Sequence, residues 1–249
     1  GRSTNEGPGM NNLAAKAAEE GFFRTQELIE RFLPLDAEEQ LDIMIRQLFP
    51  GRIAVSSSFG TESAVLLDMV ARIDPATPII FIDTGMHFPE TLAYKELLQK
   101  RLGLTDIRKV GPTNAQINEL DPHSRLHERD HDACCFLRKV GPHQMALQGF
   151  DAWITGRKRY HGEARTLLPS LEPADGRIKH NPLAAWSGDQ IDVAFIQRGL
   201  PRHPLTFANY LSLGCAPCTE KTTCGGNIRA GRWAGSVKTE CGIHNPTQE

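Results

Sequence analysis

Cys134 and Cys135 are sequence neighbours, Cys215 and Cys218 form a C-x-x-C, and Cys241 stands in Glu240-Cys-Gly-Ile-His244 near the chain end. Two thiolate pairs can supply four ligands to one metal centre. Zinc sites of four cysteines normally draw on two spaced pairs, because each sulfur must reach its own tetrahedral corner. A directly adjacent pair suits a larger iron–sulfur cluster, whose separate irons accept neighbouring thiolates. Cys134, Cys135, Cys215 and Cys218 therefore fit a [4Fe–4S] cluster better than zinc. Zinc and metal-free redox thiols remain alternatives. Cys241, beside a glycine, has the accessibility that a nucleophile needs. Lys238 and His244 favour its thiolate, whereas Glu240 opposes it. An unreactive exposed thiol is the bland alternative. Cys224 fits neither role.

Three basic groups accompany these cysteines: Arg138-Lys139 just after the first pair, Arg157-Lys-Arg159, and Arg229-Ala-Gly-Arg232. Guanidinium forks bind phosphate or sulfate oxygens bidentately. A solvated face is the usual explanation of any one basic cluster, but two of the three lie beside cysteine segments. Two turns add to the pattern. Ser56-Ser-Ser-Phe-Gly60-Thr-Glu-Ser63 falls between a predicted strand and a predicted helix, where exposed backbone N–H groups and the helix dipole suit a phosphate. It contains neither a Walker G-x-x-x-x-G-K-[ST] nor a G-x-G-x-x-G. Asp83-Thr-Gly85 closes a second strand. There the backbone of Ile82 and Gly85 is placed to read a base edge, and the Asp83 carboxylate to reach a ribose hydroxyl. Simple capping turns would explain both stretches as well.

The elements that must position these residues follow from periodicity. Residues 11–33 read as a helix. Asp36-Ala-Glu-Glu39 is a capping box, and Leu41, Met44, Ile45, Leu48 and Phe49 line one face of the helix it opens. Strands are predicted at 53–58, 78–83, 107–110 and 151–155. Helices are predicted around Leu66–Ile73, from Pro89 to about Arg101 with Gly103 just beyond its end, and from Cys135 to Leu147. A further helix starts at the Ser187–Gln190 capping box and ends near Gly199. Residues 111–133 read as a polar loop, and 157–180 as a basic, lid-like mobile loop. Strands alternating with helices predict an α/β fold, a parallel twisted sheet flanked by helices with right-handed crossovers. In such a sheet ligands bind beyond the strands' C-terminal ends.

The chain has 249 residues with 40% apolar content, enough for a full core. Net charge is −2, so no global field favours nucleic acid, and any anion site must be local. No apolar run is long enough for a membrane span, and no secretory signal is visible. The cysteine spacing argues against a disulfide scaffold, so the expected compartment is the cytoplasm. The opening GRSTNEGPG is polar and predicts a disordered tail over 1–10. Residues 11–249 are expected to form one α/β domain, with a mobile segment from about 219 carrying the nucleophile.

Taken in order, SSSFGTES, FIDTG, CC-F-L-R-K-V, AWITGRKR, NPLAAWS, GCAPCT, RAGRW and ECGIH resemble the assimilatory adenylyl-sulfate (APS) reductases, the iron–sulfur branch of the APS/PAPS reductases. The resemblance spans about Arg52 to His244. It implies an adenine nucleotide α-hydrolase-like fold with a modified PP-loop. It also implies that Cys241 attacks the sulfur of APS, leaving an S-sulfocysteine that thioredoxin or a glutaredoxin-like dithiol resolves. The resemblance puts Ser57, Ser58, Gly60, Glu62, Ser63, Ile82, Asp83, Thr84, Gly85, Gly156 and Arg157 in the nucleotide pocket. Lys139, Arg229, Arg232 and His244 would face the phosphosulfate. Ser63 stands where relatives often carry Asp, which bears on APS against PAPS. Relatives specific for PAPS typically lack the CC and C-x-x-C pairs, so APS is favoured. A PAPS or dual reductase is the nearest alternative. A tRNA-thiolating PP-loop enzyme and a zinc-stabilised binding module are more distant ones. The expected partners are the dithiol donor and the small-molecule substrate, with no membrane or nucleic acid. A homo-oligomer is compatible with the sequence but not specified by it.

Overall fold

The computed structural model describes residues 9–162, 165–208, 210, 213–219, 232 and 242–244. Helix α1 (Gly9–Phe32) is followed by α2 (Ala37–Asp42), which continues as a π-helical stretch, Ile43–Leu48. The Asp36 capping box is formed: Asp36 accepts from the Glu39 N–H at 2.8 Å, and Glu39 accepts from the Asp36 N–H at 2.9 Å. Strand β1 (Ile53–Ser56), helix α3 (Ser63–Ile73) and strand β2 (Ile79–Ile82) follow. Helix α4 (Pro89–Leu102) has Pro at its first position and ends on Gly103 at φ +70°, then β3 (Ile107–Val110) completes one half of the sheet. After β4 (Ala152–Ile154) come β5 (Leu171–Ala174), β6 (Arg177–His180) and the last long helix (Gly188–Gln197), opened by the Ser187 capping box.

One six-stranded sheet results, in the order β3-β2-β1-β4-β6-β5. The chain moves from β1 outward to β2 and β3, then returns to lay β4 on the other side of β1. The strand order therefore reverses between β1 and β4, which is where an open α/β sheet leaves a crevice. The core beneath is apolar: Val55, Leu67, Ile79, Phe81 and Leu98 have no exposed surface. Among the described residues, no helix is long and apolar enough to cross a membrane.

Two sequence expectations are corrected here. Residues 111–133 are largely helical, not a polar loop: α5 (Asn114–Leu120) and α6 (Leu126–Arg129) lead into α7 (His131–Cys135). Thr113 and Gln116 form a reciprocal capping box on α5, and the Asp121 carboxylate accepts the Arg125 and Leu126 N–H groups at 2.8 and 3.0 Å. The stretch predicted as a lid, 157–180, carries two strands of the sheet. β6 pairs parallel with β4, and β5 pairs antiparallel with β6, so the sheet is mixed. Asp175 and Gly176 connect them with φ +51° and +75°, the backbone of a two-residue hairpin whose twist matches its strands. Pro173 is tolerated because β5 is an edge strand. The helix predicted from Cys135 to Leu147 forms, but as a π-helical turn (Phe136–Val140) running into α8 (Gly141–Ala146). The last long helix is accordingly α9. The disordered tail expected at 1–10 lies outside the described residues except for its last two positions. Most of the mobile segment expected beyond 219 also lies outside them.

Candidate active site

A cleft of about 210 Å³ opens at the C-terminal ends of β1 and β4, at the reversal of strand order. One wall is the turn after β1. Ser57, Ser58, Gly60, Glu62 and Ser63 line it, together with Thr61. Phe59 holds the turn in shape. Its φ is +51°, in the left-handed region, and its fully buried ring packs edge-on against Phe81 at 5.5 Å. The Ser57 hydroxyl accepts the Phe59 N–H at 3.2 Å, and the Ser63 hydroxyl donates back to the Gly60 carbonyl at 2.8 Å. Ser63 thus spends its hydroxyl proton inside the loop.

The opposite wall follows β4. Gly156 and Arg157 line the cleft, as do Lys158, from the basic Arg157-Lys-Arg159 group, and His161 and Arg165, which sequence reasoning missed. They surround Glu62. Its carboxylate receives the Tyr160 hydroxyl, the His161 Nε2–H at 3.0 Å and the Lys158 ammonium at 3.4 Å. Burial alone would raise its pKa, but Lys158, His161 and Tyr160 more than offset this and bring it to about 2. His161 is pushed down by burial, against the pull of Glu62. Its Nδ1 faces the Arg165 guanidinium at 3.0 Å and so must accept, which leaves the ring proton on Nε2 for Glu62. Arg157 donates to Glu172 on β5 at 2.6 Å.

The remaining sides come from distant segments. Lys139, Ile82, Arg232 and His244 all reach the cleft. Arg232 is admitted by Gly214: a Cβ there would lie 2.6 Å from the guanidinium. His244 stacks on Trp153, centroids 6.1 Å apart and planes within 9°, and its Nδ1 accepts from Lys179 at 2.8 Å. Burial, then the positive charge of Lys179, holds its pKa well below the ordinary histidine value. Among the described residues, five cationic side chains line the cleft, Lys139, Arg157, Lys158, Arg165 and Arg232, against the single carboxylate of Glu62. Such a site is built for a multiply charged anion.

Asp83, Thr84 and Gly85 do not line the cleft; they form the strand-end turn behind Ile82. The Asp83 carboxylate accepts the Gly85 N–H at 2.9 Å and faces Lys109 at 3.5 Å. Thr84 is buried, its hydroxyl 3.2 Å from the Cys215 sulfur, and Gly85 adopts φ +73°. Arg138, unlike its neighbour Lys139, turns inward. It is buried, pairs with Asp121 at 2.7 Å and donates to the Thr84 carbonyl at 2.5 Å. Asp121 is raised by burial but lowered overall by Arg138 and the two backbone N–H groups it caps. Cys134 and Cys135 end α7 one turn before Arg138, and their thiols are buried, as is that of Cys215. The chain at Cys215 is pinned by an antiparallel bridge to His87 and by the Ala216 N–H donating to Met86. The Arg138–Thr84–Cys215 contacts therefore bring the two cysteine segments to one edge of the cleft. The side chain of Cys218 and all of Cys241 and Arg229 lie outside the described residues.

An open, mainly parallel α/β sheet with a Ser/Gly turn at its switch point defines a nucleotide-binding fold of the PP-loop kind. Yeast FAD synthetase has the same fold, with a TM-score of 0.51 at 16% identity over 83% of this chain and 75% of its own. A Candida auris phosphoadenylyl-sulfate (PAPS) reductase superposes better, with a TM-score of 0.67 at 28% identity, covering 79% of this chain and 96% of that one. Residues 52–221 match the phosphoadenosine phosphosulfate reductase domain. The adenosine 5'-phosphosulfate reductase of Mesorhizobium japonicum is 44% identical over 243 residues, 96% of this chain and 91% of that protein. The chain belongs to the phosphoadenosine phosphosulfate reductase family.

Proposed function

We propose that this protein reduces adenosine 5'-phosphosulfate to sulfite and AMP. The observation that carries the proposal is the cleft itself: a PP-loop-like turn on one wall, and five cations converging on the space beside it. The Ser57–Ser63 turn and the N-terminus of α3 suit the α-phosphate. Lys139, Arg232 and His244, with Arg229, suit the phosphosulfate. Likeness to the Mesorhizobium enzyme, named for the same substrate, supports the reading.

The Cys241 thiolate attacks the sulfur of the phosphosulfate. A sulfur–sulfur bond forms, the bond from sulfur to the phosphate oxygen breaks, and AMP leaves with that electron pair. Cationic side chains offset the repulsion between thiolate and dianion and stabilise the departing phosphate. A thiolate of a thioredoxin-like dithiol then attacks Cys241 Sγ. Sulfite leaves with the bonding pair, and the donor's second thiol resolves the mixed disulfide and restores Cys241. The dithiol supplies both electrons. A cytoplasmic, reducing setting suits this chemistry.

Cys134, Cys135, Cys215 and Cys218 are the ligands we propose for a [4Fe–4S] cluster. The described residues fit such a group. Three of these thiols are buried, and the Thr84 hydroxyl sits against one of the sulfurs. The directly adjacent Cys134-Cys135 pair suits a multi-iron centre better than one tetrahedral zinc. Such a cluster, held by these four cysteines, would supply a fixed local charge and would tie the two cysteine segments together.

Cys241→Ser is expected to abolish sulfite release while leaving the cluster's visible absorbance intact, and Cys215→Ser to remove that absorbance. Loss of absorbance in Cys241→Ser would contradict this division of labour. PAPS is the second reading, favoured by the likeness to the Candida enzyme.

A further inference from the structure

A buried lysine that the proposed reaction does not use lies beneath the cleft. Lys179 is on β6, directly opposite Glu172 of β5 and Trp153 of β4 in the sheet register. Residues opposite one another share a sheet face, so the three form a row. The lysine is only 2% exposed. An ammonium so buried is costly unless its donors are met. Here Nζ lies 3.3 Å from the Glu172 carboxylate and 4.6 Å from the Trp153 ring centroid, and it donates to His244 Nδ1 at 2.8 Å. Two of these partners are strand neighbours. The third comes from 65 residues further along the chain.

An ammonium has donors only, so His244 Nδ1 must accept, and the neutral ring carries its proton on Nε2. Stacking on Trp153 at 9° fixes the ring plane as well. Tautomer and orientation of His244 are therefore set from beneath the cleft. Only Gly242 and Ile243 separate His244 from Cys241, so three Cα–Cα steps keep their Cα atoms within about 11 Å.

We propose that Lys179 is a positioning residue for His244: it docks that ring as the Nε2–H tautomer and thereby anchors the Gly242–His244 turn, which directly follows Cys241 in sequence, at the cleft. The inference rests on Cys241 being the nucleophile. Its test has one readout that does not. Lys179→Met conserves most of the volume, and Glu172 keeps its 2.6 Å partner Arg157, so no carboxylate is stranded.

In the full-length, cluster-containing protein, long-range ¹H–¹⁵N spectra of labelled histidine should show His244 protonated on Nε2 alone. Lys179→Met should give a tautomer mixture, and Lys179→Arg should restore the single form. Formation of the Cys241 adduct from APS in a single turnover should slow by about tenfold to a hundredfold in Lys179→Met, with AMP affinity unchanged. The double variant Lys179→Met/His244→Ala should be no slower than His244→Ala alone. An unchanged His244 spectrum in Lys179→Met, or additive losses in the double variant, would overturn the proposal. A wild-type protein that shows the single tautomer but forms no adduct would instead overturn the proposed reaction and leave the Lys179–His244 docking standing.

Discussion

Glu62 shows how one side chain organises a wall of the cleft. Its carboxylate gathers Tyr160, His161 and Lys158 from a segment almost a hundred residues away. Its pKa falls to about 2 from an ordinary 4.5. A carboxylate depressed in the folded state contributes stability above its unfolded pKa, and this is lost as pH falls through the folded value. Glu62→Gln should therefore cost about 3 kcal/mol near neutral pH, the free-energy equivalent of that shift. The gap from wild type should close between pH 4.5 and about 2. Urea unfolding across that range checks both parts, and a pH-independent gap would remove the ion pairs from the account. At this scale the sequence was partly legible. The cysteines, the Ser57–Ser63 turn, Lys139 and Arg157 announce themselves by type and spacing. His161, Arg165 and Lys179 do not, because their importance comes from partners that only the fold brings beside them. Arg138 and Lys139 read alike as a basic pair. Only the helical turn, which points adjacent side chains in different directions, sends one to Asp121 and the other to the cleft.

At the scale of elements, β1, β2 and β4 were readable as short apolar runs bounded by turn residues, whereas β3 carries Arg108 and Lys109 between its apolar ends. The missed hairpin carried a signal: Asp175-Gly176 between alternating residues is a two-residue turn. It was hidden by the surrounding basic and Pro/Gly composition, which suggested a lid. The Thr113–Gln116 capping box was likewise legible within the supposed loop. Ile82, which lines the cleft, is backed by a close backbone approach at the ends of β2 and β3. The Asp83 N–H donates to the Val110 carbonyl at 2.7 Å, and a Cβ on Gly111 would lie 2.5 Å from the Asp83 carbonyl oxygen. Gly111→Ala must push these strand ends apart. It should cost about 1–3 kcal/mol and raise KM for APS more than it lowers kcat. Thermal melts and steady-state kinetics test this, and an unchanged KM would mean that displacing these strand ends does not disturb Ile82 at the cleft.

The whole molecule keeps several histidines buried and neutral. Burial pushes His143 and His203 down to about 4 and His180 to about 3. His180 has no exposed surface, with Nε2 bonded to Gln40 at 3.1 Å, and His143 Nε2 lies 2.7 Å from the Ser56 hydroxyl. Each binds its proton in the unfolded chain near pH 6.5 but resists it when folded. Their stabilisation is therefore complete above pH 6.5 and is lost as pH falls toward the folded values. Three such groups give a slope of about 4 kcal/mol per pH unit near pH 5. Set against an overall stability of about 5–15 kcal/mol, this predicts that a large share of the stability is lost between pH 7 and 5, before most carboxylates titrate. Urea midpoints between pH 7 and 5 should fall steeply, and flat midpoints would show that these rings are solvated. This sensitivity was invisible in sequence, where His143, His180 and His203 differ in no way from exposed histidines.

The central claim is sulfur transfer to Cys241, and intact-protein mass spectrometry addresses it most directly. The anaerobically purified protein would be mixed with APS and, in parallel, with PAPS, in the absence of any dithiol. The account predicts a sulfonate adduct that maps to Cys241 after APS and is discharged as sulfite on adding thioredoxin. A protein with its cluster intact that takes no adduct from either nucleotide would contradict it.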